Sequence, residues 1–224
     1  MKTVILTFDD GLENQYSIAA PILRQYGFKA TLYVGQWISG IYPDAPDHCI
    51  SKNQLIELHK EGFEIANHTM GHPSVHRCTD AQLHEELEGV ENLLTELGLP
   101  HPVTFAYPGG SYNDAAKEVL HKRGYVAART CEPRATSPVT DDPMLVPAFG
   151  VSVGTGIGMF DKALAALTPE KPVGLLYHGL PSVHHPPCGI EPEDFSVQME
   201  TLHREGVRCI TMRKYAREYL DCSC

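Results

Sequence analysis

The feature that most constrains this chain is a rhythm of short apolar runs separated by amphipathic stretches. The runs fall at 4–8, 30–34, 63–66, 103–107, 126–128, 146–151, 174–177 and 207–210. Between them, apolar residues recur at helical spacing over 14–26, 52–61, 81–97, 113–123, 162–167, 192–204 and 214–220. Several of these close on a charged residue followed by glycine, as in Glu61-Gly62, Arg123-Gly124 and Glu205-Gly206, the usual stop signal of a helix. Strand then helix, repeated about seven times, predicts a parallel sheet built from βαβ units in one α/β domain spanning 1–224. A doubly wound open sheet and a (β/α) barrel both satisfy that pattern. The Pro- and Thr-rich stretch 130–142 reads as a loop, because the rhythm resumes on either side.

Composition narrows the partners. With 224 residues, 42% of them hydrophobic, the chain has enough apolar mass for one large core. Its formal charge of −10 and scattered basic residues argue against nucleic acid or an anionic membrane, both of which demand a basic face. No run approaches the ~18 apolar residues of a membrane span. The apolar run after Met1-Lys2 is too short for a secretory leader, so a cytoplasmic location is expected unless a leader has been removed. Seven cysteines, an odd number without regular spacing, read as reduced thiols, and Cys222-Ser-Cys224 as a terminal tail.

The chemistry concentrates at strand ends, which a parallel α/β fold gathers on one face. Thr7-Phe8-Asp9-Asp10-Gly11 ends the first strand. Two carboxylates there suit a metal or acid–base site, although an Asp N-cap followed by a turn glycine would leave the same letters. His68-Thr69-Met70-Gly71-His72-Pro73 ends the third. Gly71 and Pro73 oppose a helix, but a tight turn can still converge both imidazoles, giving with a carboxylate a three-ligand site open to water and substrate. Two solvated loop histidines are the plainer alternative. His178 closes the apolar strand Gly174-Leu175-Leu176-Tyr177, where an imidazole can act as a general acid near neutrality.

Taken together, T-F-D-D-G, then H-T-x-x-H, then an apolar strand ending L-L-x-H resemble the NodB-type polysaccharide deacetylases, carbohydrate esterase family four. The match runs from Thr7 to His178 with motif order kept. The resemblance implies a distorted (β/α) barrel and one divalent ion, zinc first, with cobalt or another transition metal as alternatives. It implies Asp10, His68 and His72 as metal ligands and metal-bound water as the nucleophile. Asp9 would be the base and His178 the acid that protonates the leaving amine. The implied reaction is hydrolysis of an N-acyl, most simply N-acetyl, amide on an amino sugar or short saccharide. A cyclic amide, ureide or other non-sugar amide is the alternative on the same fold, and a sugar-binding protein without activity a further one.

Two family motifs are altered. Phe105-Ala106-Tyr107-Pro108-Gly109-Gly110 has Ala106 where the family places an arginine beside the base, and 146–154 shows no Asp–Trp pair. Asp9 is therefore expected to be oriented by Tyr107 or a water. The oxyanion donor would be the Gly109 amide, and Leu176 would be the remaining wall of the acyl pocket. Trp37, Tyr42, Tyr107 and Tyr112 are candidates for stacking on a sugar. His184-His185 is expected to be solvated, Gly154–Gly158 is rejected as a phosphate loop for want of its lysine, and Met212-Arg213-Lys214 is expected as an exposed helix start.

Overall fold

A computed structural model describes residues 1–35, 48–156, 158–183 and 185–220. Eight strands form one sheet in which every pairing is parallel: β1 (Thr3–Phe8), β2 (Thr31–Val34), β3 (Glu64–Asn67), β4 (Thr104–Ala106), β5 (Ala127–Arg129), β6 (Phe149–Gly150), β7 (Val173–Tyr177) and β8 (Arg208–Ile210). Seven follow the path β5-β4-β3-β2-β1-β7-β6, and β8 lies beside the N-terminal half of β1. The two ends of that path meet through one stretch of chain. Val146 bridges Arg129 of β5, and three residues later Phe149 pairs with Leu175 of β7. That junction curls the sheet into the distorted barrel.

The helices are α1 (Ala20–Gln25), α2 (Lys52–Lys60), α3 (Asp80–Glu96), α4 (Asp114–Lys122), α5 (Gly158–Ala166), α6 (Pro192–Arg204) and α7 (Met212–Tyr219). Local signals explain several starts. Ser51 and Thr79 each form a capping box with the glutamine three residues on, and Asn113 caps Ala116. No described helix is long and apolar enough to cross a membrane.

Alternation along each strand divides the core in two. Val4, Leu6 and Phe8 of β1 face outward with Leu175 and Tyr177 of β7 into the cluster under the helices. Phe105, Tyr107 and Ala128 face a second outer cluster with Leu83 and Leu87 of α3 and Val119 and Leu120 of α4. The inward set is different: Ile5, Tyr33, Ala66, Ala106, Ala127, Val146 and Ile210, plugged from below by Met212, Tyr215 and Ala216 of α7. Met212 is fully buried, so the start of the last helix is a stopper in the barrel floor, contrary to the exposed start its charged neighbours suggest. Three alanines at inward positions leave room, and one large polar side chain takes it: Arg129, fully buried.

Candidate functional site

The C-terminal ends of β1, β3 and β7 carry the predicted residues, and strand pairing brings them into register. The amide of Asp9 donates to Tyr177 O at 3.0 Å, and the amide of His68 donates to Val34 O at 2.9 Å. Beyond the strands, the backbone turns sharply. Asp10, Thr69 and His72 are the non-glycine residues with positive φ among those described, at 76°, 64° and 51°. Left-handed backbone is costly for a branched residue such as Thr69 and persists where surroundings enforce it. Here they do: Asn67 Oδ1 accepts from the Thr69 amide at 2.8 Å, and a Cβ on Gly35 would meet Thr69 O at 2.2 Å. Met70 N and Gly71 N are both held by Glu86 of α3, through its carbonyl and carboxylate. The turn that a helical reading of H-x-x-x-H would have missed is thus stapled on both sides.

The result is a cluster in which one atom each of Asp10, His68 and His72 lie within 4.8 Å of one another. Asp10 Oδ1 stands 3.7 Å from His68 Nε2 and 3.7 Å from His72 Nε2. Ligands about 2.1 Å from a tetrahedral zinc are separated by roughly 3.4 Å, so a divalent ion fits with small adjustment. The donor chemistry agrees. His68 Nδ1 lies 2.8 Å from Ala106 O, an acceptor only, so Nδ1 carries the proton and Nε2 presents its lone pair to the cluster. Burial pushes the His68 pKa down, further than Asp9 and Asp10 raise it, which keeps the ring neutral. Asp10 Oδ1 is buried yet has no hydrogen-bond partner, an orphan acceptor that an ion would satisfy.

Asp9 is handled differently. Its two oxygens accept from Arg129 Nη2 at 2.6 and 2.5 Å, an ion pair inside the barrel. Burial by itself would raise the Asp9 pKa. The charges of Arg129, His68 and His178, with the Arg129 hydrogen bond, outweigh it and hold the carboxyl below its usual value. The partner expected for Asp9 was Tyr107 or a water; the structure supplies an arginine from another strand. Ala106 and Arg129 are register partners on β4 and β5. The cation missing at 106 arrives from the position beside it. An arginine closing a strand otherwise written Ala-Ala, directly before the loop 130–142, was the available signal.

The other predicted residues divide by where they point. Tyr107 is fully buried in the outer cluster, 5.2 Å from Phe105 and edge-on to it, and its amide donates to Arg129 O, so its side chain does not reach the site. Tyr112 packs on Tyr107 with ring centroids 5.5 Å apart. Gly109 is exposed in a left-handed turn at φ 61°, ψ 11°. Leu176 lies on the inward face of β7, one register step from the end. His178 is half-buried, and Gln15, unflagged in the sequence, ties it to Asp9: Gln15 Nε2 donates to Asp9 O at 2.5 Å and to His178 O at 3.2 Å. Gln15 opens a π-helical turn, Gln15–Ala19, a rare geometry that recurs at functional sites. The five described cysteines are free. Trp37, Tyr42, His184, Cys222 and Cys224 lie outside the described residues.

The chain is similar to known proteins. The family model described as polysaccharide deacetylase matches residues 1–128. The chain is 31% identical to YxkH of Bacillus subtilis (strain 168) over 137 residues, 61% of this chain and 47% of that protein. It is 31% identical to the poly-β-1,6-N-acetyl-D-glucosamine N-deacetylase of Staphylococcus aureus (strain MRSA252) over 153 residues, 63% of this chain and 52% of that protein. The chain spans about half the length of these curated relatives. Among solved structures, the Bc1960 peptidoglycan N-acetylglucosamine deacetylase superposes with a TM-score of 0.70 at 18% identity, over 99% of this chain and 89% of that one, which establishes the shared fold. With the family model covering more than half its length, the chain belongs to the polysaccharide deacetylase family.

Proposed function

We propose that this chain hydrolyses an N-acyl amide, most simply N-acetyl, on an amino-sugar unit of a saccharide, using one divalent ion, zinc by preference, held by Asp10, His68 and His72. The observation that carries this reading is the division of labour at one strand edge. Asp10 is an orphan acceptor facing two imidazole nitrogens, while its neighbour Asp9 is engaged by Arg129. The Staphylococcus aureus relative, named as a poly-β-1,6-N-acetyl-D-glucosamine N-deacetylase, supports the substrate class.

When bound, the ion supplies Lewis acidity, polarising the acyl oxygen and acidifying a water. The residues of this chain do the rest. Asp9, held ionised, accepts a proton from the attacking water as its oxygen bonds to the acyl carbon. The exposed Gly109 N–H is a donor for the oxygen that gains charge. His178 gives a proton to the nitrogen as the C–N bond breaks, releasing a free amine and a carboxylic acid. Leu176 forms an apolar wall for a short acyl group.

The test is a pair of variants assayed on N-acetylated oligosaccharides with and without chelator. Asp9→Asn is expected to lower turnover by at least about a thousandfold while metal content stays near one per chain. His68→Ala should lose both metal and activity. Normal turnover by Asp9→Asn, or chelator-resistant hydrolysis, would overturn the assignment.

A further inference from the structure

Distance alone does not tell the two adjacent carboxylates apart. His68 Nε2 lies 3.6 Å from Asp9 Oδ2 and 3.7 Å from Asp10 Oδ1, so either is near enough to join an ion bound at that imidazole. Their surroundings do tell them apart. Both Asp9 oxygens are taken by Arg129 Nη2, and Asp10 Oδ1 is bonded to nothing. Arg129 is itself fixed. It is fully buried, its Nη1 donates to Thr130 O at 3.3 Å, and its guanidinium lies 5.4 Å from the Tyr33 ring centroid. Swinging Asp9 onto an ion would strand a buried guanidinium, which is strongly unfavourable.

We infer that Arg129 is the positioning residue that withholds Asp9 from the metal, and so decides which carboxylate of the Asp-Asp pair is ligand and which stays available as base. The inference rests on the proposed metal site. It makes a prediction opposite in sign to ordinary structural damage: removing Arg129 frees Asp9 to become a fourth protein ligand. The metal then binds more tightly while catalysis fails. Because positions 106 and 129 are register partners with inward-facing side chains, a guanidinium returned from 106 should restore the division.

The experiment measures affinity for zinc, and the visible spectrum of the cobalt-loaded protein, in wild type, R129M, D9N/R129M and A106R/R129A. In R129M, zinc affinity is expected to rise about tenfold or more, with an altered cobalt spectrum and a fall in turnover of at least about a hundredfold. The gain in affinity should vanish in D9N/R129M, and A106R/R129A should return toward wild type in both readouts. Unchanged or weaker zinc binding by folded R129M, or a gain that survives without the Asp9 carboxylate, overturns the inference. If R129M does not fold, a crystal structure of metal-loaded A106R/R129A decides: Asp9 on the introduced guanidinium and off the metal supports the inference, and Asp9 on the metal while bonded to that guanidinium defeats it. A wild-type protein that binds zinc but hydrolyses no amide would instead count against the proposed reaction, and the affinity comparison would still read the role of Arg129.

Discussion

Gln15 shows how much a single buried side chain can hold at this site. Its carboxamide donates to the carbonyls of Asp9 and His178, so one group spans the loops that present the proposed base and acid, and it is 2% exposed. Backbone pairing between Asp9 and Tyr177 already joins β1 to β7, but that bond ends where the strands end. Beyond it, Gln15 links the two loops from the buried side, and Asn14 Nδ2, which donates to Pro181 O at 2.7 Å, from the exposed side. Gln15→Leu keeps the volume and removes both donors. The buried Asp9 carbonyl and the half-buried His178 carbonyl then lose a partner, at a cost of about 1–3 kcal/mol. The expected outcome is a lower urea midpoint together with a roughly tenfold drop in kcat at unchanged metal content. A variant with wild-type kcat would show that strand pairing suffices.

At the scale of elements, the barrel floor depends on a polar knot as much as on its apolar plug. Glu64, at the start of β3, is buried and accepts from Thr31 Oγ1 at 2.7 Å, Thr104 Oγ1 at 2.6 Å and the Arg213 amide at 2.8 Å. Thr31 in turn accepts from the Met212 amide. One carboxylate therefore joins three strands' worth of chain to the first turn of α7, where free amides and the helix dipole favour negative charge. Glu64→Ala leaves two hydroxyls and an amide unmet in a site too tight for easy relaxation. A loss of about 2–4 kcal/mol is expected by urea unfolding. Because the floor and the proposed metal site occupy opposite ends of the barrel, zinc affinity should stay within a few-fold of wild type. Equal damage to both would mean that α7 is coupled to the site.

Across the whole molecule, the core is laced with phenols. Burial raises the pKa values of Tyr33 and Tyr177 well above the ordinary value, as it does for Tyr125, where Glu91 adds to the effect. The sign follows directly. A phenol that stays neutral when folded, but ionises at about 10 when unfolded, stabilises the fold in full below that pH. The contribution is lost as pH rises from there toward the folded values. Stability should therefore hold through neutral pH and collapse cooperatively above about 10, with tyrosinate absorbance appearing together with the loss of circular dichroism. Tyrosinate absorbance that grows while the fold persists would contradict this burial.

What the sequence by itself determined was the periodic part. The alternation of apolar runs located all eight strands, helical spacing and glycine stops placed the helices, and strand ends marked Asp9, Asp10, His68, His72 and His178 as one face. Those signals are local, and the parallel fold does the gathering. The tertiary structure alone decided which groups meet across strands. Arg129 was invisible as a partner of Asp9, 120 residues away in the chain, because a register pairing between β4 and β5 sets that contact and no spacing records it. Tyr107 was misplaced for the complementary reason: side chains alternate, so one step along β4 from Ala106 turns the ring out of the barrel and into the packing under α3 and α4. The residues proposed to do chemistry could be read along the chain. The arginine that engages Asp9 is brought to it by the closure of the barrel.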